Sequence, residues 1–243
     1  MSTMFLNLDY HQLTNATAKP QQETENKSAL LEDLCFVVEK GESLLGQTER
    51  HQQLMQRLEY LAGMGDLYVT FYQQILQNFA EFVQYIPDIN GKDFNVSMLN
   101  VALLRAVALL EQLSAYGEQE RDTLWQYAAF TAVLMRDLGS ICRSRRILCC
   151  DAQGEVTGIW SPIEGPMAIG QHYRIQFMST MHQKISQFMT IPLALSLMPK
   201  EGLAWIQQDE LIYLMWLAYL GQDETDRGDF AVILERIVAK VNP

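Results

Sequence analysis

Histidine and cysteine are scarce in this 243-residue sequence, with four of each. The cysteines Cys35, Cys142, Cys149 and Cys150 form no Cys-x-x-Cys pair. His172 and His182 lie too far apart for a helical i, i+4 ligand pair. Zinc sites need such spacings, so no metal is expected, and the thiols are expected to be reduced, in a cytoplasmic protein. Positive charge is also short, with 18 Lys and Arg against 29 Asp and Glu, a net charge of −11 and a pI near 4.8. An acidic field repels nucleic-acid phosphates and anionic lipid, so nucleic acid is not the expected partner. The longest apolar run, Leu211 to Leu220, is about half of the ~20 residues that a membrane span requires. The opening "MSTMFLNLDYHQ" lacks the basic and apolar segments of a secretory signal, so no direct membrane insertion is expected. There is no Gly-x-Ser-x-Gly motif and no Gly-rich phosphate loop, which removes two common catalytic frameworks.

What is present is apolar and helical in pattern. Apolar residues make up 49% of the chain, enough for a core. Residues 14–28 are polar throughout, so 1–28 reads as a partly flexible N-terminal arm and 29–243 as a single helical domain. Helical spacing is expected from Ser28 to a stop at Gly41, over about 48–61, and from 67 until Pro87. "VSMLNVALLRAVALLEQLSAYG" is apolar on most sides, the mark of a central helix. "DTLWQYAAFTAVLMRDLGS" reads as a helix capped by Asp122 and closed by Gly139 in a left-handed conformation. Arg145 to Trp160 then changes period, and the turn at Asp151–Gly154 predicts a hairpin. Helical patterning resumes at about Tyr173. The expected fold is mainly α, a helical bundle with one inserted β-hairpin near 145–160.

Two features carry candidate chemistry. One is a local cluster of Arg136, Arg143, Arg145 and Arg146, with Asp137 the only acid between them. It reads either as a docking surface for an acidic peptide, a phosphate or nucleic acid, or as arginines paired internally with surplus carboxylates such as those at 223–229. Internal pairing or a protein contact is favoured, because aromatic interleaving is missing. The other is the loop "SPIEGPMAIG", whose Ile163, Met167 and Ile169 form either an interface or a packed crossing.

The segments "WQYAAFTAVLMRDLG", "RRILCCDAQGEVTGIWSPIEGPM" and "QHYRIQF" resemble, in order and spacing, the HD-type domain near the N-terminus of conjugative relaxases and helicase-type proteins of mobile elements. Weaker similarity extends over roughly 50–240, through "VSMLNVALLRA" and "ILERIVAKV". The resemblance implies an HD-like bundle. In HD enzymes imidazoles and a carboxylate hold metal ions that acidify a water. Here Arg136 stands at the motif's histidine, Ser140 at its lysine, and Asn100 where a helix histidine would be. A guanidinium has no lone pair to offer a metal. The resemblance therefore implies a degenerate metal site at Arg136, Asp137 and Asn100, with no catalytic residue and no cofactor. It implies a non-enzymatic interaction or scaffold subunit, an accessory component of a conjugation or type IV secretion coupling complex. Its partners would be other protein subunits, through which it could reach a membrane. The alternatives are a residual metal-dependent phosphohydrolase using Asp137, or a nucleic-acid binder acting through the Arg136 to Arg146 patch.

Overall fold

A computed structural model describes residues 34–88, 97–115, 123–143, 145–178, 183–222 and 228–241. The expected arm, the cap at Asp122 and the acids at 223–227 lie outside the described residues. The chain runs through β1 (Phe36–Val37), α1 (Gly41–Gly46) and α2 (Glu49–Ala62), then a π-helical stretch Tyr68–Gln73 that continues as α3 (Gln74–Val83). Next come α4 (Met98–Ala115), α5 (Thr123–Met135), a 3-10 turn Leu138–Cys142, β2 (Arg145–Cys150), β3 (Val156–Ile159) and β4 (His172–Phe177). The helices α6 (Gln183–Leu197), α7 (Lys200–Ile206), α8 (Glu210–Leu220) and α9 (Gly228–Val241) follow.

Local rules account for most boundaries. Thr48 is extended and its side chain accepts the His51 amide at 3.1 Å, which starts α2. His51, Leu54, Leu58 and Ala62 then form the buried stripe of that helix. Helix α3 stops at Gln84, whose φ is 46°, before Pro87 is reached. The Gln84 side chain is buried and fully used. Its oxygen accepts from the Glu39 amide at 3.0 Å, and its nitrogen donates to the carbonyls of Glu39 and Glu81.

Helices α4 and α5 lie against each other at the centre, and α2 and α9 also pack on α4. Ten of the thirteen residues of α5 are buried. Such a helix has no polar face to show, which matches its uniform apolar sequence. Helix α4 is also long and apolar enough, by length and composition, to cross a membrane, with mean hydropathy 1.4. In this fold it packs against four other helices, α2, α3, α5 and α9. An uninterrupted-run criterion passes over it because Asn100, Arg105, Glu111 and Gln112 break the run. Around α5, Tyr127 stacks on Trp205 at 5.2 Å and meets Tyr72 edge-on at 5.3 Å. The Trp216 indole N–H donates to Thr131 Oγ1 at 3.0 Å, so this buried ring leaves no orphan donor.

The β2–β3 hairpin is present, but it belongs to a four-stranded antiparallel sheet in the order β1-β4-β2-β3. At its turn, the Asp151 carboxylate accepts the amides of Gln153 and Glu155, and Gly154 has φ 84°. Two strands correct the expectation of helix. Tyr173 to Phe177 belongs to β4, where Tyr173 and Ile175 are buried while Gln176 is exposed, a period of two. Phe36–Val37 falls inside the expected 28–41 helix, yet it pairs with Tyr173 and His172. Gly139 is a third correction. It does not adopt a left-handed φ. It lies in the 3-10 turn against α6, where a Cβ would run into the Ser186 carbonyl and reach Thr190 Oγ1 at 2.6 Å. Its amide donates to that Thr190 oxygen at 3.3 Å. Closeness of backbones, and not a cap, selects glycine here.

Candidate functional site

Arg136 and Asp137 directly follow α5 and are held by different neighbours. The Asp137 carboxylate accepts from Arg105 Nη1 of α4 and lies 3.8 Å from Arg136 Nε. Arg136 Nη1 donates to the Tyr219 hydroxyl at 2.9 Å and to Glu235 Oε1 at 2.8 Å, with its guanidinium over the Tyr219 ring. This ties α5 to α8 and α9. Burial works against the Arg136 charge, but Tyr219, Glu235 and Asp137 together hold its pKa above the ordinary value. Burial pushes the Tyr219 hydroxyl up to about 12, with the Arg136 charge opposing. Asn100 turns elsewhere. Its amide oxygen lies 2.5 Å from His51 Nε2 on α2, and His51 Nδ1 lies 2.9 Å from the Leu44 carbonyl.

Of the three residues expected to mark one worn metal site, Arg136 and Asp137 stay in contact while each is anchored to a different helix, and Asn100 pairs with His51. Asp137 is bracketed by two guanidiniums, and the described residues contain no group of three or more His, Cys, Asp or Glu that could hold a metal. These residues do not fit an HD-type metal centre. Two features escaped the sequence reading, and both had a signal. His51 sits on the apolar stripe of α2, which announces burial. Arg105 is a lone cation in an apolar helix, which announces a buried partner.

The arginine cluster also divides. Arg136 pairs internally with Glu235; of the acids at 223–229 only Asp229 is among the described residues. Arg143, Arg145 and Arg146 instead line a cavity of about 350 Å³ at the end of the sheet where β2 begins. Ile159, Trp160 and Met178 contribute apolar walls. Arg145 is 7% exposed. Its Nη2 donates to the Asp88 carbonyl, but its Nε and Nη1 have no acceptor among the described residues, nor has Arg143 Nε. Burial lowers the Arg145 pKa to about 10; Arg143 adds to the effect and Asp88 opposes it. In the following loop Met167 is buried, whereas Ile163 is 68% and Ile169 52% exposed. Trp160 is fixed there by its indole N–H, which donates to the Gly165 carbonyl at 2.9 Å, and by edge contact with Phe82.

A model of the TraI_2 family, described as "Putative helicase", matches residues 37–241. A comparison with the curated proteins finds no match. The family match overturns two expectations, the non-enzymatic scaffold or interaction subunit and the assignment as no enzyme, because the description is that of an enzyme and covers most of the chain. The physical reason is one of scope. A helix end without metal ligands bears on metal-dependent hydrolysis alone, and it leaves open chemistry exerted elsewhere on the surface.

Proposed function

The chain belongs to the family described as "Putative helicase", and from that membership we propose that it acts on nucleic acid, engaging strand phosphates at the Arg143, Arg145 and Arg146 edge of the sheet. One observation carries the reading. In a chain of net charge −11, three arginines line one cavity and, among the described residues, no carboxylate lines it with them. A repulsive overall field lowers the encounter rate, but phosphate contacts are local, and a few arginines supply the attraction where it is needed. The sequence has no Gly-rich loop for nucleotide triphosphates, so the reading concerns the strand. The finer likeness to an HD-type domain belongs to the same proposal. Arg136 and Asp137 stand as a degenerate pair, and their contacts with Arg105, Tyr219 and Glu235 support a role in joining helices. Conjugative elements, the setting that the resemblance implies, would supply such a strand.

Fluorescence anisotropy with single-stranded and duplex DNA and with RNA, at 50 and 200 mM salt, tests the proposal. Three phosphate contacts on a single strand give a salt slope of about −2, which is roughly a 20-fold loss of affinity over that interval. The double variant Arg143→Gln/Arg146→Gln should cut the slope to about a third. No binding to any of these probes at 50 mM salt rejects the reading.

A further inference from the structure

The arginine cavity has the dimensions of one nucleotide. Its volume of about 350 Å³ lies at the small end of the ~300–1,000 Å³ typical of ligand pockets. A duplex, whose major groove alone is ~12 Å wide, does not fit inside it. Arg145 lines it, nine-tenths buried, with two N–H groups that have no acceptor among the described residues. Arg143 lines it too, and its Nε is likewise buried without a partner among the described residues. Buried cations are ordinarily paired, yet among the described residues the charged side chains lining this space are all arginines. The buried Asp88 carboxylate acts on Arg145 from outside the lining, but one carboxylate does not balance three guanidiniums, and a further anion is the missing member. The rim is apolar, formed by Ile159 and Met178, 59% and 39% exposed.

On this arrangement, and resting on the nucleic-acid reading above, we propose that the cavity seats the phosphorylated end of a single nucleic-acid strand. The terminal phosphate lies against Arg145 and Arg143, and the attached sugar or base lies against Ile159 and Met178. A phosphomonoester carries ≈ −1.5 to −2 charge at neutral pH, more than the single charge of an internal phosphate, and so matches more than one unpaired guanidinium. The single-nucleotide volume also suits an end better than a continuing strand.

The test is anisotropy of one single-stranded DNA sequence made with a 5′-phosphate, a 3′-phosphate or hydroxyl ends, with inorganic phosphate as competitor. One phosphorylated end should bind at least about tenfold tighter than the hydroxyl form. That preference should vanish in Arg145→Met and shrink in Ile159→Asp, and it should persist in Arg50→Gln, which alters an exposed arginine on α2. Ile159 is exposed, so its variant keeps the test valid should Arg145→Met fail to fold. Equal affinity for phosphorylated and hydroxyl ends, with salt-dependent binding intact, overturns this inference and leaves the broader reading standing. A preference that survives both cavity variants overturns it as well. Inorganic phosphate competing as strongly as the phosphorylated oligonucleotide removes the strand from the proposal. No binding by any probe overturns both readings.

Discussion

Replacing Asp137 with alanine removes the acceptor that Arg105 uses inside the bundle. The Arg105 side chain is 6% exposed and that of Asp137 18%. Breaking a buried pair from one side costs ~3–5 kcal/mol, because the remaining charge stays buried. Two features lower that figure here. Asp137 is partly open to solvent, and Arg105 keeps other interactions. A loss of about 2–4 kcal/mol is expected, and for a domain of this size that lowers Tm by roughly 4–16 °C. Urea and thermal unfolding of purified protein measure it, with the double variant Arg105→Met/Asp137→Leu as the comparison. Apolar replacement of both partners should recover most of the loss, since no charge is then left in the interior. Asp137→Ala within about 0.5 kcal/mol of the parent would refute the reasoning. So would a double variant no more stable than the single one. A more stable Asp137→Ala protein would show instead a carboxylate held against its surroundings, as a ligand is.

Gly139→Ala should destabilise by about 1–3 kcal/mol or more, since the added methyl meets the Ser186 carbonyl; a gain in Tm, as expected for a merely flexible glycine, would contradict the close approach. Trp216→Phe removes the donor to Thr131 and some core volume, and a loss of about 1–3 kcal/mol in urea unfolding is expected; no change would discount that hydrogen bond. Binding of a phosphorylated single strand should weaken as pH rises through about 10, where Arg145 loses its proton. Its folded pKa lies below the ordinary arginine value, so the cost of burying the cation is fully present below pH 10 and is relieved only above it. Arg145 therefore adds no slope to stability between pH 6 and 9, and affinity that stays flat to pH 11 would refute the lowering of its pKa by burial.

Elements governed by near neighbours were legible in the chain. Thr48 starts α2, the Asp151 to Gly154 turn makes the hairpin, and the uniform apolar content of α4 and α5 places them at the centre. Strands β1 and β4 were not legible. Phe36–Val37 is too short to show a period, and it becomes a strand only beside Tyr173 and His172, far along the chain. The alternation in "HYRIQF" is visible, but the helical pattern of the following segment masks it.

The site divides along the same line. The sequence by itself determined that Arg136 cannot be a metal ligand, because that follows from the chemistry of one side chain. It also determined that arginines cluster from 136 to 146. Only the tertiary structure decided which of them are neutralised. Arg136 meets Tyr219 and Glu235, which are 83 and 99 residues away along the chain. Arg105 reaches Asp137 across 32 residues. Arg143, Arg145 and Arg146 are left together at the sheet's end, with Trp160 and Met178 as walls. Whether a charge is paired or waiting for a ligand depends on distances and burial between elements remote in sequence, and those distances exist only once the helices have packed.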